Sequence, residues 1–203
     1  DAESGFDRKP IGQPGQLTLI HSGILYPQER NPRPFFAALR SLKDSGEIGP
    51  ARLQVVLRAT GSDHIYRPML TELNLTDIVK LAPTANYREA LREMLVADGL
   101  LLFQASICNH QVPAKLYEYL RAGRPIFTLT DPIGNTADVL RAAEAMDIVN
   151  IADADDITVG LRHFLGRLQD GSATGARREI ANLHSRRSRT RELARLLDQI
   201  AIE

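Results

Sequence analysis

The sequence lacks the features that mark several large classes of protein. It contains a single cysteine, Cys108, so no disulfide can close within the chain and no cysteine-based zinc site can form. It has no excess of either charge. Its 25 basic and 25 acidic side chains give a formal net charge of zero, and no overall field draws the chain to nucleic acid. No apolar run is long enough to span a bilayer and no signal peptide is apparent, so a reducing, cytoplasmic setting is the expectation. The usual phosphate motifs are missing too: no G-x-G-x-x-G follows the first strand-like run, and there is no Walker lysine. His21, His64, His110, His163 and His184 are scattered without metal-ligand spacing, so no metal is expected.

What remains is the make-up of an ordinary globular domain, 43% hydrophobic and 25% charged over 203 residues. The chain starts at Asp1 rather than Met, which suggests an excised or processed piece. Residues 1–15, rich in glycine and proline, read as a linker stub. From there, short apolar runs alternate with amphipathic stretches. Strands are expected at 17–20, 53–57, 78–81, 99–103, 125–129 and 148–151. Helices are expected from Pro32 to Leu42, Pro68 to Leu75, Tyr87 to Asp98, Ala114 to Ala122 and Thr136 to Ala145, followed by one whose stripe is Ile157, Leu161, Phe164, Leu165 and Leu168. Gly123 stands where a helix C-terminus wants a left-handed residue.

Strand–helix alternation through short connections predicts an α/β fold. It would be a Rossmann-like, doubly wound parallel sheet of about six strands, with ligands held at the strands' carboxyl ends. The loops after Ile20, Leu57, Leu81, Phe103 and Leu129 would then border the site. The expected organisation is a linker at 1–15, a Rossmann-like domain at 16–170 and a helical tail at 171–203. That tail opens with a flexible break at 171–175 and ends in an amphipathic helix, whose Leu193, Leu196, Leu197 and Ile200 want a partner surface. It also carries Arg177, Arg178, Arg186, Arg187, Arg189, Arg191 and Arg195. Such a cluster is read either as a peripheral contact with an anionic membrane face or as a solvated helix surface offset by Glu179, Glu192 and Asp198. The solvated surface is the simpler account.

The most informative stretch runs from Asn109 to Ile126. It leaves a strand and opens a helix, with Pro113 where the helix should begin. The free amides of the helix start that follows Pro113 and the helix dipole favour a phosphate there, and Lys115 adds a full charge. Glu118, one turn on, is placed to accept hydrogen bonds from two vicinal ribose hydroxyls. Each residue also has a plainer reading. Glu118 could pair with Lys115 or Arg121 on a solvated helix, Lys115 could be a surface charge, and His110 could be a polar loop residue instead of a sugar contact.

Read as V-P-A-K-L-Y-E-Y-L-R-A-G-R-P-I-F, this stretch resembles the donor-site helix of GT-B glycosyltransferases, in the broad retaining group called glycosyl transferases group 1 or family 4-like. Gly5-Phe6-Asp7 resembles the interdomain signature of that group. Ser22-Gly23-Ile24-Leu25-Tyr26 with Arg30-Asn31-Pro32 resembles its first glycine turn. Ala82-Pro83 and Tyr87 to Leu91 resemble the segment entering the helix before the fourth strand.

The resemblance implies the C-terminal, nucleotide-sugar-binding half of a two-domain enzyme whose N-terminal half binds the acceptor. Its reaction would move a sugar from a nucleotide diphosphate sugar to a hydroxyl, with retention of configuration, in polysaccharide or glycoconjugate biosynthesis. It further implies that Glu118 holds the ribose, that Arg30 and Lys115 face the diphosphate, and that the backbone at Ala82 reads the base. Gly23, Pro113 and Ala114 would line the nucleotide, and His110 would stand at the sugar. Two positions depart from the pattern: His110 replaces the first of a glutamate pair, and Ile24 replaces an arginine. The rival readings are a non-catalytic nucleotide-binding module and a GT-B relative such as a nucleotide-sugar epimerase.

Overall fold

The computed structural model describes residue 6 and residues 10–145 and 147–200. Its centre is a six-stranded, all-parallel sheet in the order β3-β2-β1-β4-β5-β6. The strands are β1 (Leu17–Ser22), β2 (Leu53–Arg58), β3 (Val79–Ala82), β4 (Gly99–Gln104), β5 (Ile126–Thr130) and β6 (Ile148–Asn150). Between and after them come α1 (Arg33–Asp44), α2 (Asp63–Glu72), α3 (Tyr87–Val96), α4 (Ala114–Ala122), α5 (Asn135–Ala142), α6 (Ala154–Asp170), α7 (Arg178–Leu183) and α8 (Arg186–Ile200). This is the expected doubly wound α/β architecture, with extra helices after the last strand.

The sheet is covered on both faces because its strands are apolar at successive positions. On β4, Leu101 and Phe103 enter a core shared with α1, α2 and α6, whereas Leu100 and Leu102 enter one shared with α3, α4 and α5. All of β4 is buried, as a strand with helices above and below must be. Strand order reverses between β1 and β4, and those strands pair through only two registered positions, Leu19 with Gly99 and Ile20 with Leu100. Beyond them the strands part, which opens the crevice where such sheets take ligands.

Several boundaries differ from expectation. Helix α2 begins at Asp63, five residues before Pro68, so the proline lies inside the helix and does not start it. A proline there removes one backbone bond, but Pro68 faces solvent while Tyr66 and Leu70 on the same helix are buried. Burial of that face outweighs the lost bond, and Asp63 sits favourably in the first turn. Helix α3 stops at Val96, because Asp98 turns back to accept the Thr18 amide at 2.7 Å.

The tail does not simply trail away. After Gly171 (φ +76°) the chain returns to the end of α4, where Gly175 lies so close to the Gly123 carbonyl that a Cβ has no room. Ala176 is buried in the second core, and the His184 ring lies 5.5 Å from that of Tyr117 on α4. In α8, by contrast, Leu193, Leu196, Leu197 and Ile200 are all more than half exposed. Among the described residues no helix is long and apolar enough to cross a membrane.

Candidate functional site

The crevice is built from the carboxyl ends of β1 and β4 and the start of α4. Gly23 follows β1 with φ +123°, a conformation that side-chain-bearing residues rarely adopt. Its amide donates to the Arg58 carbonyl at 2.8 Å, which ties the turn to the end of β2. A Cβ on Gly23 would lie 2.8 Å from Lys115 Nζ and 3.2 Å from its Cε, so the bare backbone leaves the space that the lysine occupies.

Lys115 reaches across from the first turn of α4 and donates to the Ser22 carbonyl, with its ammonium 5.8 Å from the centre of the Tyr119 ring. Burial holds its pKa below the ordinary lysine value, with Glu118 opposing that shift and Arg30 adding to it. Arg30 donates to the Ile24 carbonyl at 2.7 Å and stacks on Tyr26 at 5.3 Å. Its charge also acts on His21 and Tyr119, so the two cations converge on one place. Helix α4 begins after Pro113 with no side-chain cap, leaving its first-turn amides at the same crevice. Glu118 lies exposed one turn further along.

The structure thus brings Gly23, Arg30, Lys115 and the Pro113–Ala114 helix start together, with Glu118 beside them. Ala82 ends β3, roughly 10 Å across the sheet from β1 by the spacing of two strands. Its carbonyl accepts the Ala59 amide at 2.8 Å. His110 is exposed on the loop before α4, and its neighbour Asn109 binds Asp131 at 2.7 Å and accepts the Asn135 amide at 3.0 Å. Ile24, where the resembling pattern has an arginine, is exposed beside Gly61. Gly5 and Asp7 lie outside the described residues, while Phe6 packs under the Arg88 guanidinium at 5.3 Å. Among the described residues no group of three or more His, Cys, Asp or Glu is arranged to hold a metal ion.

Sequence reasoning missed the buried layer beneath this surface. His21, fully buried at the end of β1, joins the Leu101 carbonyl of β4 at 3.0 Å where the two strands part. It stands edge-on to Phe103 at 5.3 Å. Burial, with Lys115 and Arg30 nearby, brings its pKa down to about 3, so it is neutral. Since the carbonyl can only accept, Nδ1 carries the proton. Tyr119 is equally buried and its hydroxyl accepts the Ser22 amide at 3.2 Å, while burial raises its pKa. In the sequence a signal existed only for Tyr119, which falls one turn after Lys115 on the apolar side of α4.

The Gly23 turn makes a direct test. Gly23→Ala should destabilise the protein by about 1–3 kcal/mol, the usual cost of a forced backbone conformation, because the added methyl also displaces the Lys115 amine. Urea unfolding should show a lower midpoint with an unchanged slope.

No protein-family model and no curated protein matches this sequence. Solved structures do match in fold. Sucrose-phosphate synthase from Thermosynechococcus elongatus aligns with TM-score 0.68 at 13% identity, covering 92% of this chain and 46% of that one. A glycosyltransferase from Rickettsia africae aligns with TM-score 0.68 at 12% identity, over 92% of this chain and 48% of that one. The α,α-trehalose 6-phosphate synthase from Burkholderia multivorans aligns with TM-score 0.63 at 13% identity, over 93% of this chain and 44% of that one. The chain therefore spans less than half the length of these proteins. At such identities the likeness establishes a GT-B-type fold.

Proposed function

We propose that this chain is the nucleotide-sugar-binding half of a glycosyltransferase, with the site at the parting of β1 and β4. In this reading residues 16–170 form the donor-binding domain, residues 171–203 are an appended tail, and another domain supplies the acceptor hydroxyl. The observation that carries the reading is the convergence of Lys115, Arg30, the Gly23 turn and the uncapped start of α4 on one crevice. Two cations and a helix N-terminus around a glycine turn suit a diphosphate, and the carboxylate of Glu118 beside them suits a diol.

The chemistry follows from the leaving group. When a sugar departs from a nucleoside diphosphate, negative charge grows on the β-phosphate oxygens. Preorganised donors at that point stabilise the transition state more than the ground state. Lys115 and Arg30 are held by carbonyl contacts and aromatic faces, so little reorganisation is needed when the charge develops. His110, exposed on the loop entering α4, is assigned to the sugar side and Ala82 to the base side. Lys115 starts with a depressed pKa, so an anionic ligand should raise it, and binding above neutral pH should take up protons.

Calorimetric titration with a panel of nucleoside diphosphates tests the proposal. At least one should bind, and the Lys115→Met variant should bind it much more weakly. Failure of every nucleotide to bind would overturn the reading. Because side chains supply the positive charge, affinity should be the same with magnesium or with EDTA. A strict need for a divalent cation would count against the roles given to Lys115 and Arg30.

A further inference from the structure

Arg58, at the carboxyl end of β2, is committed in three directions. Its Nε and Nη2 donate to the two oxygens of Glu93 on α3, each at 2.5 Å, and its Nη1 donates to the Pro83 carbonyl at 2.6 Å. The Arg58 and Glu93 side chains are only 12% and 8% exposed. A desolvated ion pair of this kind contributes little net stability, because the loss of hydration offsets the attraction. What the pair does contribute is geometry: a planar guanidinium with both edges occupied cannot turn without breaking a charged bond.

The same short segment grips both sides of the crevice. The Arg58 carbonyl accepts the Gly23 amide at 2.8 Å, and the Thr60 carbonyl accepts the Leu25 amide at 3.0 Å. On the other side the Ala59 amide donates to the Ala82 carbonyl at 2.8 Å, with Ala59 itself at φ +57°. The carbonyls of Ala82 and Pro83 are thus both held by residues 58 and 59. Asn86, three residues beyond Pro83, caps α3 by accepting the Glu89 amide at 2.9 Å. The 82–86 segment is fixed at each end.

We infer that Arg58 and Glu93 are positioning residues for the nucleobase. They act through the Pro83 carbonyl to hold the 82–86 segment at the distance from the Gly23 turn that one base fits and others do not. This rests on the donor-site reading above. It adds that base selectivity depends on a buried ion pair that touches no ligand.

The test uses this chain with UDP, ADP, GDP, CDP and inorganic pyrophosphate in calorimetry. The unaltered protein should favour one base over the rest by about tenfold or more, a discrimination typical of a shaped pocket. Arg58→Lys keeps the charge but cannot serve Glu93 at two points and Pro83 at once. It should compress the preference among bases to roughly threefold, while pyrophosphate binds as before. Should that variant fold poorly, the double variant Arg58→Met with Glu93→Leu removes both charges and fills their volume. It should fold and show the same loss of base preference. A variant that keeps the preference, or loses pyrophosphate binding in parallel, would overturn the inference and leave the donor-site reading standing. Absence of any nucleotide binding by the unaltered chain would end both.

Discussion

Replacing Glu118 with alanine should weaken nucleoside diphosphate binding by about 1.5–3 kcal/mol, roughly ten- to 150-fold, the usual range for hydrogen bonds to a charged group. Folding should barely change, because Glu118 is exposed on α4 and alanine is the better helix former. The ribose assignment is checked with a second change made on the ligand. A 2′,3′-dideoxy nucleotide should bind the unaltered protein about as weakly as the normal nucleotide binds the variant. Combining the two changes should add little, since both remove one interaction. Full additivity would place Glu118 away from the ribose. An unchanged affinity would return it to the solvated helix surface.

Acid should destabilise the protein through His21 well before the carboxylates titrate. In the unfolded chain a histidine titrates near 6.5, whereas in the folded protein burial brings His21 down to about 3. Between those values the unfolded state binds the extra proton, so stability falls as pH falls through this window. From about pH 7.5 to about pH 5 the loss from this group amounts to about 2 kcal/mol. His21→Gln keeps a donor for the Leu101 carbonyl but carries no titratable group. Its stability, measured by urea unfolding across that range, should fall by about 2 kcal/mol less than that of the unaltered protein. Parallel curves for the two proteins would show that His21 becomes protonated in the folded state.

The cations above His21 belong to the same electrostatic balance. Lys115 and Arg30 both disfavour a charged His21. A neutral imidazole beneath the crevice leaves the positive charge there on Lys115 and Arg30, both half-buried. On the proposed reading, an anion entering the crevice would therefore meet Lys115 and Arg30.

Sequence alone was enough for the order of strands and helices through α6, the parallel sheet and the helix start at Pro113, but not for α7 in the tail. Those properties rest on local signals: apolar runs of strand length, amphipathic stripes, and punctuation such as Gly123 after α4 (φ +67°). It also brought Gly23, Arg30, Lys115 and Glu118 forward as candidates, through their places relative to those signals. Where α2 begins was not local, because the burial of Tyr66 and Leu70 overrides the usual place of a proline. The buried layer was not local either. His21 meets Leu101 across 80 positions of sequence, Ser22 meets Tyr119 across 97, and Arg58 meets Glu93 across 35. No periodicity or spacing encodes such pairs. The first two arise because the strand order reverses at β1 and β4, and the third because α3 packs beside the end of β2; in each case a polar group buried by the fold must find its partner inside the protein.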